Sequence, residues 1–204
     1  DQQAGGIGNG ITRSGMISST IGASGVVFAA TDSPVADKLP RAALSMCHAL
    51  QDKWCLFGCT LGAGGSFKWL RDCVFPTEKK ELKRLGKDVY DYMSSLAKNA
   101  SPGSNGLCFL PYLNGERTPL EDPNASGVFF GITYRHGREE LCRSVMEGVA
   151  FSLRDTIEIL REYGIDSAAI RASGGGAKSN LWRQIQADIF NRDILQTNIG
   201  EAPA

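Results

Sequence analysis

The apolar positions of the chain follow two rhythms. Up to residue 60 they come in short runs. Met16–Ile21 and Val26–Ala30 are strand-like and are joined by Gly22-Ala23-Ser24-Gly25, which predicts a hairpin with a glycine-rich turn. Ser45–Leu50 and Cys55–Thr60 predict two more short strands around the polar Gln51-Asp52-Lys53. Residues 31–43 are a mainly polar connection containing Pro34 and Pro40, and residues 2–10 fit either a tightly packed helix or a loop.

Beyond residue 60 the apolar spacing lengthens to three and four. Ser66–Cys73, with Phe67, Trp69 and Leu70, predicts a helix stopped by Pro76. Thr77 then caps a second amphipathic helix with Leu82, Leu85, Val89, Tyr92, Met93 and Leu96 inside and Glu78, Lys79, Lys80 and Glu81 outside. Ser101–Asn105 is a turn and Leu107–Leu110 a buried strand. Pro111–Gly127, with three prolines and several charges, is a long loop of the kind that often carries function. Arg138–Arg161 is the strongest helix. Its stripe runs Leu141, Val145, Val149, Leu153, Ile157, Leu160, and Gly164 stops it. Trp69 and Trp182 read as core residues.

The chain closes on strand 168–172, the glycines Gly174–Gly176, a helix over 178–190 with Leu181, Ile185 and Ile189 on one face, and a last strand near Ile194–Thr197. Strand, glycine turn, helix lets backbone N–H groups approach an anionic or planar ligand at a helix N-terminus, so a nucleotide is the first ligand to consider. A Walker A loop is excluded, because Ala177 and Ala172 occupy its two glycine positions before Lys178-Ser179. The dinucleotide fingerprint also fails, since its third glycine falls on Ser179. Tight packing of the turn is the competing explanation, and both stay open on local sequence. A hairpin, then helices, then strand-turn-helix-strand implies an α/β domain, or α+β with the hairpin to one side.

Composition narrows the function classes. The 204 residues are 42% hydrophobic and 22% charged, with a formal net charge of +0. Such a balance offers no electrostatic footprint for nucleic acid or an anionic membrane. The Lys79–Arg84 cluster is interleaved with acids and reads as a solvated helix face. Six scattered cysteines with no CxxC pair, and only His48 and His136, argue against structural zinc. With no secretory signal and no apolar run of membrane-spanning length, reduced thiols and a cytoplasmic location are expected. The chain begins at Asp1 and stops at Ala204, which reads as part of a longer protein.

Six ordered segments together resemble the C-terminal domain of the FGGY family of carbohydrate kinases. They are Asp1-Gln2-Gln3-Ala4-Gly5, GMISSTIGASGVVF (15–28), GAGGSFKWLRD (62–72), FLPYLNGERTP (109–119), GVFFGITYRHGREELCRSVMEG (127–148) and SGGGAKSNLWRQIQAD (173–188). The fourth and sixth are most similar to xylulokinases. The resemblance implies an actin-like, ribonuclease-H-like ATPase fold, a mixed sheet flanked by helices, with ATP and sugar bound between two such domains. Residues 1–204 would be an incomplete second domain, lacking its N-terminal partner domain and its last elements.

Carried over position by position, the resemblance makes Asp1 the base that takes the sugar hydroxyl proton, with a possible Mg²⁺ contact, and Gln2 a polyol contact. Gly22, Ala23 and Ser24 match the family's second phosphate loop. Ala23 stands where the family has Thr, so one hydroxyl contact is lost and Ser24 can supply part of it. Gly64 matches a glycine beside the nucleotide, and Lys68 stands where some relatives carry Gln. Gly175, Gly176 and Asn180 match the adenosine set. Glu116 and Arg117 are expected to form an ion pair shaping their loop.

The implied cofactors are ATP and Mg²⁺. The implied reaction transfers the γ-phosphoryl group to a ketose, D-xylulose first, with ribulose, glycerol and gluconate as alternatives. A non-catalytic nucleotide- or sugar-sensing member of the fold is the competing class. The 204-residue chain alone is expected to be inactive, and exposed apolar surface to promote a homodimer.

Overall fold

The computed structural model describes residues 2–35 and 43–197. Asp1, residues 36–42 and residues 198–204 lie outside the described residues, and with them the expected catalytic base.

Among the described residues there are eight strands and six α-helices: one helix, four strands, three helices, two short strands, and then a helix-strand-helix-strand ending. The expected hairpin is present as β1 (Ile17–Ile21) and β2 (Gly25–Thr31), antiparallel in the register Ile21↔Gly25. Next come β3 (Leu44–Cys47) and β4 (Trp54–Thr60), then β7 (Ala169–Ser173) and β8 (Asp193–Gln196). These six form one sheet in the order β3-β4-β2-β1-β7-β8. The first four run antiparallel to their neighbours, whereas β1, β7 and β8 are parallel. The mixed sheet with helical layers agrees with the expected actin-like ATPase architecture.

Parallel pairing of β1 with β7 needs a crossover. The long helix α5 (Arg138–Glu162) supplies it. Its buried face (Val145, Val149, Leu153, Ile157 and Leu160 among others) lies on the sheet. Each such side chain contributes about 1.5–3 kcal/mol of transfer free energy. Gly164, at φ +75°, ends the helix as the pattern predicts, and the Ile165 N–H returns to the Leu160 carbonyl at 3.0 Å. The same face of the sheet carries α2 (Ala63–Val74), α4 (Val89–Asn99) and α6 (Asn180–Phe190). The opposite face holds a smaller cluster of Ile11, Val26, Phe28, Ala30, Cys55 and Phe57, with α1 (Gln2–Gly8) against it. Residues 2–10 therefore begin as a helix.

Several expectations need correction, among them Leu85, expected inside but 68% exposed, and the Ser45–Leu50 strand, which ends at Cys47. The helix expected from Thr77 to Leu96 is two, α3 (Pro76–Arg84) and α4, because Gly86 adopts φ +66° and Asp88 caps α4 by accepting the Tyr90 N–H at 2.8 Å. Pro76 starts α3 rather than merely ending α2, since a first-turn position needs no N–H donor. The strand near Leu107–Leu110 is β5 (Cys108–Leu110), which buries only Phe109 and pairs outside the main sheet with an unforeseen β6 (Val128–Phe130). Trp69 is 39% exposed and lies over Phe129, whereas Trp182 is in the core and donates to the Met146 carbonyl at 3.0 Å.

Candidate functional site

Three glycine-bearing segments, far apart in sequence, meet at the C-terminal end of β1. The Gly64 and Gly65 N–H groups, at the start of α2, donate to the Gly22 and Ala23 carbonyls at 2.9 and 2.8 Å. On the other side, a Cβ on Gly174 would stand 2.5 Å from the Ile21 carbonyl oxygen, and one on Gly176 would stand 2.6 Å from Ile21 Cβ. Thr20 and Ser173 close the seam between β1 and β7 with a hydroxyl pair at 2.8 Å. The hairpin turn is thus clasped between the start of α2 and the turn after β7.

These contacts sort the glycines. Gly64, Gly174 and Gly176 are required by the chain's own packing, because a methyl at any of them collides with main chain or with Ile21. Gly22 and Gly175 are not so required. Their nearest atoms to a built Cβ lie at 3.7 and 3.9 Å, and neither has a positive φ. The start of α2 is also already engaged, since the N–H groups of Gly64 and Gly65 are held by hairpin carbonyls. The free donors lie on the turn itself: Gly22 bonds the Ser24 carbonyl at 2.9 Å, while the Ala23 and Ser24 N–H groups make no hydrogen bond among the described residues. Successive free N–H groups of this kind form an anion-binding concavity.

On the other face of the hairpin a cavity of about 150 Å³ separates it from α1, lined by Gln2, Asn9, Ser18, Thr20, Gly22 and Ser24 among others. No charged residue lines it, and Asn9 Oδ1 is buried there without a partner. A cavity with that volume and those polar groups suits ordered water or ligand hydroxyls. Gly6 seats α1: its missing Cβ would lie 2.6 Å from the Phe28 ring and 3.3 Å from His48 Nε2. Arg171 secures the other end of α1 by donating from Nη1 to the carbonyls of Asn9 and Gly10, both at 2.8 Å. Gln2 is therefore held on the cavity wall by packing several residues away.

The turn after β7 leads into α6 through a 3₁₀ segment, Gly175–Lys178. Ser179, not Lys178, precedes the helix and caps it by accepting the Trp182 N–H at 3.3 Å. Asn180 is the first residue of α6, exposed, and its Oδ1 accepts from Arg183 Nη2 at 2.5 Å. Arg183 also donates to the Ala177 carbonyl. This bond occupies Oδ1 and leaves the Asn180 Nδ2 donor without a partner among the described residues. Lys68, one turn after Gly64 on α2, is exposed, with its Nζ 4.0 Å from Asp72.

The long loop is anchored to the same end of the sheet by a group whose strength the sequence reading missed. Glu116 is buried and accepts from Thr60 Oγ1 (2.5 Å), the Arg117 N–H (2.7 Å), the Leu61 N–H (3.1 Å) and Ser152 Oγ (3.5 Å). Burial raises its pKa, and these four donors oppose that rise. The expected Glu116–Arg117 ion pair is not formed: the carboxylate takes the Arg117 main-chain N–H, and the guanidinium side chain is exposed. Four nearer donors satisfy the carboxylate without it.

Of the sequence-derived candidates, Gly22, Ala23, Ser24, Gly64, Gly175, Gly176 and Asn180 come together around one strand end, with Gln2 across the adjoining cavity. Asp1 lies outside the described residues. Among the described residues no group of three or more His, Cys, Asp or Glu side chains could hold a metal ion, so no donor set for Mg²⁺ is found there. No helix among them is long and apolar enough to cross a membrane. A larger open groove of about 770 Å³, lined by Asp166, Asp188, Asn191 and Arg192 among others, lies at the far end of α6, about 16 Å along that helix from the glycine turn. It is separate from the glycine cluster.

A mixed sheet whose glycine turns gather at one strand end, flanked by helices on both faces, defines an α/β domain of the actin-like ATPase type. Comparison with known proteins narrows this. The family model for the FGGY family of carbohydrate kinases, C-terminal domain, matches residues 17–204. A gluconokinase of Bacillus licheniformis is 38% identical over 192 residues, covering 93% of this chain and 37% of the relative. The xylulose kinase of Escherichia coli (strain K12) is 36% identical over 194 residues, covering 95% and 38%. The crystal structure of ligand-bound xylulose kinase from Lactobacillus acidophilus superposes with a TM-score of 0.82 at 31% identity, covering 98% of this chain and 38% of that one. The chain belongs to the FGGY family of carbohydrate kinases and corresponds to its C-terminal domain. It spans less than two fifths of the length of these relatives.

Proposed function

We propose that the protein to which this domain belongs is an ATP-dependent sugar kinase acting on D-xylulose. The observation that carries the reading is the convergence of the hairpin turn, the start of α2 and the turn after β7 at one strand end. This convergence joins a phosphate-type concavity to an exposed helix start. In this reading the terminal phosphates lie on the Gly22–Gly25 turn, which has free N–H groups at Ala23 and Ser24. The adenosine lies over Gly175, Gly176 and Asn180, where Nδ2 of Asn180 donates to a ring acceptor of the base. Glycine at 22 and 175 leaves room for the ligand where the fold itself asks for none.

The acceptor sugar lies at the start of α1. Its hydroxyl oxygen forms a bond to the γ-phosphorus as the bond from that phosphorus to the bridging oxygen of ADP breaks. The hydroxyl proton passes to the Asp1 carboxylate, and Gln2 holds a neighbouring hydroxyl. Mg²⁺ enters as the counter-ion of ATP, and no described residue is assigned to it. Loss of the Thr hydroxyl at Ala23 weakens one phosphate contact without changing the turn, whose carbonyl is held by the Gly65 N–H.

Gluconate is the second acceptor to test, because the gluconokinase and xylulose kinase relatives are almost equally similar. Purified full-length protein is assayed for ADP release with D-xylulose, D-gluconate, D-ribulose and glycerol. The expected outcome is turnover with D-xylulose above all others. Turnover with gluconate alone replaces the substrate. ATP binding without turnover on any sugar moves the protein to the non-catalytic sensing class. The cytoplasm, where ATP is plentiful, is the location this function requires. Homodimer formation is tested by light scattering on the same sample.

A further inference from the structure

The failed ion pair leaves the Arg117 guanidinium without a carboxylate partner among the described residues. Glu116 accepts from four donors, none of them the Arg117 guanidinium. Among the described residues no carboxylate lies within ion-pair distance of that guanidinium. The main chain beneath it is nevertheless firmly held. The Arg117 N–H bonds Glu116 at 2.7 Å, and the Arg117 carbonyl accepts the Glu121 N–H at 2.6 Å. The next residue, Thr118, exchanges two bonds with Cys59, both at 3.1 Å: its N–H donates to the Cys59 carbonyl and its Oγ1 accepts the Cys59 N–H.

Arg117 is thereby placed at the end of β4 that adjoins the hairpin turn. Cys59 pairs with Val26 and Thr60 with Gly25, the residue that closes the turn. Cys59 packs with the smaller cluster, on the α1 face that also bears the cavity beside Gly22 and Ser24. Burial raises the pKa of its half-buried thiol; the Arg117 charge opposes that rise, the Glu116 charge adds to it, and the Ser24 hydroxyl opposes it. The Arg117 main chain is thus held at the strand end that carries the turn whose Ala23 and Ser24 N–H groups are free, and its side chain is exposed.

An exposed guanidinium on a backbone pinned at the strand end that bears an open N–H concavity suits the planar fork geometry that recognises phosphate. We propose that Arg117 is a phosphate-binding residue, contacting the terminal phosphates of ATP from the β4 side of the Gly22–Gly25 turn. This rests on the sugar-kinase reading above. It adds a positive charge where Ala23 has removed a neutral hydroxyl contact. Glu116 then serves Arg117 indirectly, by holding its backbone.

The test uses full-length protein and its R117Q and R117K variants, with ATP and AMP titrated calorimetrically. R117Q is expected to weaken ATP about 10- to 100-fold, the range for losing a charged hydrogen bond. AMP affinity and the melting temperature are expected to stay unchanged, and R117K to recover part of the ATP loss. Equal ATP affinity in R117Q and the parent overturns the assignment. So does an equal loss for ATP and AMP, which marks a structural role. Failure of R117Q to fold also overturns it, because a side chain with no hydrogen bond or ion pair among the described residues is not needed for folding. If the parent itself binds no ATP, the sugar-kinase reading fails first and takes this assignment with it. If the parent binds ATP and R117Q binds it equally well, only this assignment falls.

Discussion

Gly64 donates its N–H to the Gly22 carbonyl at 2.9 Å, and a methyl group at Gly64 would stand 2.3 Å from that same oxygen. The contact binds the start of α2 to the hairpin turn so closely that one position serves packing alone. Gly22, its partner, faces outward with room to spare. One pair of glycines thus separates two reasons for the residue.

Gly64→Ala is expected to destabilise the domain by about 1–3 kcal/mol through forced separation of α2 from the turn. Gly22→Ala and Gly175→Ala should leave the melting temperature within a degree or two of the parent, yet weaken ATP at least about tenfold by narrowing the ligand path. Thermal unfolding and ATP titration of the three variants distinguish these outcomes. A large stability loss in Gly22→Ala would refute the division.

Gly6→Ala tests the seat of α1. Its methyl would meet the Phe28 ring at 2.6 Å and His48 at 3.3 Å, so α1 must shift. Gln2 moves with the helix, and a misplacement of about 1 Å can cost on the order of a hundredfold in rate. In full-length protein kcat should fall far more than ATP affinity. An unchanged kcat would show that α1 does not position the acceptor.

Asn180→Ala is expected to raise KM for ATP about tenfold with kcat nearly unchanged, the signature of lost uniform binding. Arg183→Met should move KM in the same direction but less, because it frees the amide to turn without removing it. Steady-state kinetics with ATP varied at saturating sugar checks both. A fall in kcat with KM constant would place Asn180 elsewhere in the mechanism.

Two carboxylates should give stability opposite pH dependences. Burial raises the Glu116 pKa, so the folded chain holds that proton more tightly than the unfolded chain. Its contribution is largest below the ordinary glutamate value of about 4.3 and is lost as pH rises through the raised native value. The Arg192 guanidinium lowers the Asp166 pKa through bonds of 2.7 and 2.9 Å. Its contribution is present above the ordinary aspartate value of about 3.9 and is lost as pH falls through the lowered one. Urea midpoints measured against pH should lose the first dependence in Glu116→Gln and the second in Asp166→Asn. An unaltered pH profile in either variant contradicts the corresponding shift.

Local rules reached far here. The hairpin, the α5 stripe with its Gly164 stop, and the closing strand-turn-helix-strand are consequences of short-range spacing and turn chemistry. The division between α3 and α4 was missed because apolar spacing continues across Gly86. Only the αL turn at that glycine and the Asp88 cap break it. The Glu116–Arg117 pairing was misjudged for a related reason. Adjacent opposite charges suggest an ion pair, whereas Thr60, Leu61 and Ser152 reach the carboxylate from β4, the residue following it and α5.

By itself the sequence determined most of the elements, the family and the residue types able to handle a nucleotide, since periodicity, glycine turns and motif order are local properties. Only the tertiary structure decided which glycines are needed for packing, which are free for a ligand, and that Glu116 is satisfied without the Arg117 guanidinium. Those outcomes depend on groups up to about 150 residues apart, such as Ile21 against Gly174, brought within van der Waals distance by the β1–β7 pairing.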